Sequence, residues 1–158
     1  MGGMNNAANA QWKPNVTVAA VIERGGRFLL VEEETADGIR LNQPAGHLER
    51  GESLPDACVR ETLEESAWHF VPRELVGIYL WPASNTGTTY LRFAFCGELG
   101  EHDSGRELDA GILRALWLTP TELQARRPEH RSPLVAQCVT DYLAGQRLPL
   151  SAVRHYPP

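Results

Sequence analysis

No stretch of this chain comes near the roughly 18 consecutive apolar residues that a membrane-spanning helix needs, and this excludes a span of that kind. The opening MGGMNNAANA has neither a basic start nor an apolar segment, so no export signal is expected and a cytoplasmic protein is. Cysteine is scarce: Cys58, Cys96 and Cys138 are odd in number, far apart and without CxxC spacing, so neither a disulfide framework nor a zinc knuckle is expected. Basic residues are outnumbered, 15 against 20 acidic ones for a formal charge of −5. The chain therefore lacks the surplus that drives binding to a phosphate backbone, and nucleic acid is not an expected partner. Internal repeats and linker-like stretches are also missing.

What remains is an ordinary globular composition, 42% hydrophobic and 22% charged over 158 residues, which fits one compact domain. Residues 1–12, rich in Gly, Asn and Ala, are expected to form a loose tail, and residues 13–158 the domain. From Asn15 the alternating Val16, Val18, Ala20 and Ile22, then Gly25-Gly26, then Arg27 to Val31, predict two strands joined by a tight hairpin. Glu32 to Arg40 reads as an acidic loop, and Leu41 to Glu52, dense in Pro, Gly and polar residues, as a second one. Ser53 as cap, with Pro55 in the first turn, predicts a helix over Leu54–Trp68, closed by Pro72. Strands follow at Leu75–Trp81 and Thr88–Glu98, forming a second hairpin, and at Ile112–Leu118. Short helices are predicted after Thr119 and Ser132, the second ending at Gly145. Hairpins on either side of one crossover helix predict an α/β fold with a mixed sheet.

Within the long helix, Glu61, Glu64 and Glu65 stand at i, i+3 and i+4, which puts three carboxylates on one side. Such a cluster repels itself unless a hard divalent cation, Mg²⁺ or Mn²⁺, neutralises it. The same spacing also describes a solvated face with Arg60 paired to Glu64. Val59 and Leu63 are the expected sheet-packing side.

Gly46, Glu52, Arg60-Glu61 and Glu64-Glu65 resemble the Nudix box, G-x5-E-x7-R-E-U-x-E-E-x-G-U, where U is bulky and apolar. Six of its nine specified positions match, Trp68 suits the last, and Thr62 and Ala67 depart from it. Further stretches, Asn42 to Glu49, Leu91-Arg92-Phe93 and Arg131 to Ala136, are similar to those of NudJ-type Nudix phosphatases. The resemblance implies a Nudix-type α/β/α sandwich with a mixed sheet. It also implies divalent-metal-dependent hydrolysis of phosphoanhydride bonds in nucleoside di- and triphosphates and in the pyrimidine diphosphate of thiamine synthesis. Glu61 and Glu65 would be the leading metal ligands and Glu64 a further one, with the main-chain carbonyl of Ala45 beside them. Glu61 or Glu64 would be the base. Glu52 and Arg60 would pair to orient the loop on the helix.

Outside the box, Arg92 in an apolar strand must bind phosphate or form a salt bridge. Tyr79, Trp81 and Tyr90 are candidates for stacking on a base or for packing, and His47 for a hydrogen bond to substrate. Glu49 is open between reaching the metal water and capping backbone. A further acid is sought among Glu101, Asp103, Glu107 and Asp109, with Asp109 favoured. Arg131-Ser132-Pro133 reads as a helix start or a pocket wall. Alternatives are a Nudix hydrolase for ADP-ribose or dinucleotide polyphosphates, and a noncatalytic nucleotide-sensing module. A monomer and a homodimer are equally compatible.

Overall fold

The computed structural model describes residues 10–158; residues 1–9 of the expected tail lie outside the described residues. The strands are β1 (Asn15–Ala20), β2 (Glu23–Arg24), β3 (Arg27–Thr35), β4 (Gly38–Asn42), β5 (Ala45–His47), β6 (Trp68–Pro82), β7 (Thr89–His102), β8 (Ile112–Leu118) and β9 (Leu148–Pro149). The helices are α1 (Leu54–Ser66), α2 (Pro120–Ala125) and α3 (Leu134–Leu143). A five-stranded sheet runs β5-β1-β7-β6-β9, and β3 is the centre of a second, pairing with β2, β4 and β8. The β1–β7 pair is parallel, Val16 against Leu91 through Ala20 against Phe95, while the other pairings are antiparallel. The sheet is therefore mixed.

Neighbouring residues of the central strands point into opposite cores, which is why those strands are apolar on both faces. Val18, Leu29, Leu75 and Phe95 pack with Ala57 and Cys58 of α1. Val21, Phe28, Leu30, Val76 and Ala94 pack with Leu123 of α2 and Val135, Cys138 and Val139 of α3. Helices on both sides of the strands give the α/β/α layering. The buried side of α1 is Ala57, Cys58, Thr62, Glu65 and Ser66 rather than Val59 and Leu63, which are half-buried. Small residues let the helix axis approach the strands, and the hydroxyls are satisfied internally: Thr62 Oγ1 donates to Cys58 O at 2.7 Å and Ser66 Oγ donates to Thr62 O.

Three further expectations are corrected. The hairpin at Gly25-Gly26 joins β2 to β3, with φ of 59° and 77°, whereas β1 belongs to the other sheet. Glu32 to Arg40 is not a loop, because Ala36-Asp37, with Gly38 just after it, makes a tight turn that pairs β3 with β4. The helix ends at Ser66 without help from Pro72, which lies in β6 at a register shift. Ala67 there adopts φ 60°, the left-handed conformation that glycine takes more readily, and its N–H donates to Leu63 O at 2.9 Å. Substituting Ala for the usual glycine has left the helix terminus in the same form.

Glu32, 8% exposed, explains how the second sheet is tied to α2. Both its oxygens accept from Arg114 of β8, at 2.7 and 3.1 Å, and Oε1 also accepts from Arg126 at 2.8 Å. These hydrogen bonds hold its pKa down at about 2, against the opposing effect of burial. The folded-state value lies below that of an ordinary carboxyl, so the contribution is complete above about pH 5 and is lost as the pH falls toward 2. Glu32→Gln is expected to cost about 1–3 kcal/mol at pH 7, trimmed by solvent screening of the exposed Arg114. Urea unfolding at pH 7 and pH 3 measures this: the gap between variant and wild type should shrink at the lower pH.

Candidate active site

The helix α1 begins at Ser53, whose side chain accepts the Asp56 N–H at 3.1 Å, and its thirteen residues form the platform of the site. β5 lies against it. Ala45 N–H donates to Glu65 Oε2 at 3.0 Å, and Gly46 passes so close to Glu61 that an added Cβ would stand 2.1 Å from the carboxyl carbon. Glycine at 46 is thus required by contact rather than by backbone angle.

Arg60 organises the acids around it. It binds Glu52 through two bonds of 3.0 and 2.7 Å, donates to His47 O at 3.0 Å, and reaches Glu61 at 2.9 Å and Glu64 at 3.1 Å. Its hydrogen bonds hold the Glu52 carboxyl below the usual carboxylate range. Glu52 in turn accepts the Glu49 N–H at 2.7 Å, so Glu52 caps this turn while the Glu49 carboxylate remains exposed at the cleft. Among the described residues no cationic side chain pairs with Glu65. Burial, reinforced by the charges of Glu61, Glu33 and Asp109, pushes its pKa up to about 8 despite the Ala45 N–H. Burial raises Glu61 as well, opposed by Arg60 and helped by Glu64 and Asp109. Among the described residues no three acidic, His or Cys side chains converge as a ready cation cage, since Arg60 draws Glu61 and Glu64 to itself. The donor chemistry fits Mg²⁺ or Mn²⁺ nonetheless: the ligands on offer are all oxygens, and Glu65 is buried without a counter-charge.

Ala45, Gly46, His47, Glu49, Glu61 and Glu65 line a cleft of about 560 Å³ that also takes in Thr17, Glu33, Asn42, Trp81, Tyr90 and Arg92, whereas Glu52, Arg60 and Glu64 stand outside its lining. Arg92 is 6% exposed, and among the described residues no carboxylate lies within 4.0 Å of it, which removes the salt-bridge alternative. Its guanidinium is held by neutral amides, Gln43 Oε1 and Asn42 Oδ1, both at 3.1 Å, and Gln43 is fixed by donating to Val135 O at 2.8 Å. The charge is positioned without being neutralised. Trp81 and Tyr90 face each other across β6 and β7, stacked at 5.8 Å and 19°, with His47 6.5 Å from Tyr90.

Tyr79 does not join them. Its hydroxyl donates to Asp141 at 2.8 Å on α3 and its ring packs on the core, so it lies outside the cleft. Of the four loop acids, Asp109 is placed beside α1, its N–H bonded to Glu64 O at 2.9 Å and its charge acting on Glu61 and Glu65. Asp103 accepts the Gly105 N–H, and Glu101 and Glu107 are exposed away from the cleft. Ser132 accepts the Leu134 N–H at 3.2 Å and, with Arg131, forms part of the cleft wall. The residues missed from sequence are Glu33, Arg40, Asn42 and Gln43. Asp37-Gly38 at the β3–β4 turn was the available signal, since that turn sets the strand pairing that carries the first three.

Residues 12–138 match the NUDIX domain family. The chain is 38% identical over 142 residues to Phosphatase NudJ of Escherichia coli (strain K12), covering 90% of this chain and 92% of that protein, and equally to Phosphatase NudJ of Shigella boydii. A NUDIX hydrolase structure from Nitrosomonas europaea superposes with a TM-score of 0.89 at 54% identity, covering 91% of this chain and 98% of that one. A MutT NUDIX hydrolase from Burkholderia pseudomallei shares the fold alone, at 18% identity and TM-score 0.70 over 82% of this chain and 98% of that one. The chain belongs to the Nudix family. It is a Nudix hydrolase.

Gly46→Ala tests the contact at the centre of this geometry. The added methyl must displace the Glu61 carboxylate, and for the catalytic role expected of Glu61 a misplacement of about 1 Å costs on the order of a hundredfold. Steady-state kinetics should register a loss of about tenfold or more in kcat. Circular dichroism should remain that of the wild type, because Gly46 has an ordinary φ and lies on the surface of the cleft.

Proposed function

We propose that this protein hydrolyses phosphoanhydride bonds in nucleoside di- and triphosphates and related small diphosphates, the pyrimidine diphosphate of thiamine synthesis among them, with Mg²⁺ or Mn²⁺. The observation that carries this reading is the separation of charge across one cleft. The half-buried Glu61 and the buried Glu65 carboxylates stand on one side, and on the other the buried Arg92 guanidinium, which among the described residues has no carboxylate within 4.0 Å. A molecule that brings both a divalent cation and a polyphosphate complements the two together.

Glu61 and Glu65, with Glu64 and the Ala45 carbonyl, would hold the ion. When bound, it neutralises the phosphate charge, polarises the phosphoryl group and lowers the pKa of attacking water. Glu61 or Glu64 would take the proton of that water on a carboxylate oxygen. Arg92 would grip phosphate oxygens through the face left free by Asn42 and Gln43, where partial desolvation strengthens the pairing. Trp81 and Tyr90 would offer a ring face to the base, with His47 at the rim. Residues 13–158 act as one unit in this reading. No helix is long and apolar enough to cross a membrane, and a cytoplasmic location is part of the proposal.

The experiment is phosphate release from nucleoside di- and triphosphates, thiamine-pathway diphosphates and ADP-ribose, with Mg²⁺, with Mn²⁺ and with chelator, followed by product identification. Turnover of the first two groups, abolished by chelator, is expected. Preference for ADP-ribose would redirect the substrate assignment, and binding without any turnover would point to a sensor. Glu65→Gln should lower kcat by about two or more orders of magnitude with the melting temperature kept or raised, since the amide removes an unpaired buried acid. Trp81→Ala should raise KM for nucleotides by about tenfold, near the worth of one stacked ring, while inorganic pyrophosphate is unaffected.

A further inference from the structure

Among the described residues, Glu33 Oε1 is the buried side-chain oxygen left without a hydrogen-bond partner. Such an atom costs about 1–3 kcal/mol unless a partner arrives. Glu33 lines the cleft, and the cation placed over it is Arg131, whose Nε stands 3.6 Å away, just beyond hydrogen-bonding distance. The backbone beneath Arg131 is fixed: its N–H donates to Leu41 O at 2.8 Å, and His130 bridges to Leu41 in parallel. Leu41 sits in β4 between Arg40 and Asn42, and Arg40 is paired with Glu33 across the β3–β4 register. Arg131 is therefore launched toward Glu33 from a secured position. Its side chain is nonetheless 46% exposed, free to close by the fraction of an ångström that separates it from Glu33.

Resting on the phosphoanhydride reading above, we propose that Arg131 binds the phosphate outside the cleaved linkage and that Glu33 is the residue that positions it. A carboxylate could not meet a polyphosphate directly, because like charges repel. With Arg131 interposed, it can orient a long side chain that would otherwise lose rotamer entropy on binding. Arg92, Arg131 and Glu33 together leave one net positive charge on this wall. The first two phosphates are met by the carboxylate side and Arg92, and Arg131 meets a third, so the pair favours triphosphates over diphosphates.

The test compares a nucleoside triphosphate with its diphosphate, in Mg²⁺, for the wild type, Arg131→Ala, Arg131→Lys, Glu33→Gln and the Arg131→Ala/Glu33→Gln double variant. Calorimetric titration with tripolyphosphate and with pyrophosphate reads binding apart from turnover. Arg131→Ala should raise the triphosphate KM by about ten- to a hundredfold, the worth of one charge-assisted contact. Its diphosphate KM should rise less than its triphosphate KM, and Arg131→Lys should restore part of the affinity by keeping the charge without the planar fork. Glu33→Gln should raise the triphosphate KM by about three- to tenfold, and in the double variant it should add nothing to the loss from Arg131→Ala. Tripolyphosphate affinity should follow the same order. Equal tripolyphosphate affinity in wild type and Arg131→Ala, or equal losses on both nucleotides, would overturn the proposal. A further loss from Glu33→Gln in the Arg131→Ala background would overturn the positioning role. Tripolyphosphate binding that depends on Arg131, in a protein that turns over no nucleotide, would instead count against the phosphoanhydride reading and support the arm.

Discussion

Five acidic side chains, Glu49, Glu52, Glu61, Glu64 and Glu65, are gathered within one loop and two turns of helix, and the fold around them depends on how Arg60 divides their charge. It is bound to Glu52 by both ends of its fork, to the His47 carbonyl, and to Glu61 and Glu64, with Glu49 at 3.7 Å. A planar cation with five donors can serve two segments at once, which a lysine could not. The loop is thereby held against α1, and β5 within that loop is held close enough for Ala45 and Gly46 to touch Glu65 and Glu61. Glu65 alone of the three clustered helix acids is left outside the reach of Arg60, so burial raises its pKa with only the Ala45 N–H to oppose it.

Two arginines, the half-buried Arg60 and the buried Arg92, have been given opposite treatment. Arg60 is surrounded by carboxylates, so its charge is consumed in holding the loop. Arg92 is surrounded by amide oxygens, which orient a guanidinium without cancelling it. Gln43 extends that arrangement to the start of α3, because its amide nitrogen is committed to Val135 O. The position of α3 and the aim of Arg92 are thus coupled through one side chain that is 1% exposed.

The parts of the site that lie on one helix were legible from sequence, since a 3.6-residue period places Glu61, Glu64 and Glu65 without any knowledge of the fold. The mixed sheet was legible from hairpins on either side of one crossover helix, whereas β4 and β5 were read as loops. What was not legible depends on pairing between distant segments. Glu33, Asn42 and Arg131 meet only because β3 pairs with β4 in one register and the chain at His130 bridges back to Leu41. A slip of one residue would turn Glu33 out of the cleft. Reading Glu32 to Arg40 as a loop hid this, because a run of three glutamates masks the alternation that separates buried Glu32, committed to Arg114, from Glu33 facing the cleft. Arg92 was conspicuous as a charge in an apolar strand, yet its partners, at the end of β4 and just beyond it, lie 50 and 49 residues away. Tyr79 was misplaced because alternation assigns a face of β6 but not whether that face is cleft or core at a given position. Tyr79 lies beneath α3, and Trp81 beyond it.

The same consideration explains why the cleft is so sharply charged. Thr17, Tyr79 and Arg92 are paired across β1, β6 and β7, on the face that Ala94 continues into the core beneath α3. The cleft floor is therefore a core face turned polar at its end, with little water to screen what it carries. That environment acts on the two ends in complementary ways: it raises the cost of ionising Glu65 and strengthens the field of Arg92, neither of which has an oppositely charged side chain within 4.0 Å among the described residues. A free nucleoside would relieve neither, and a phosphate chain alone would relieve only the second. In the proposed function, a polyphosphate carrying its own divalent cation relieves both.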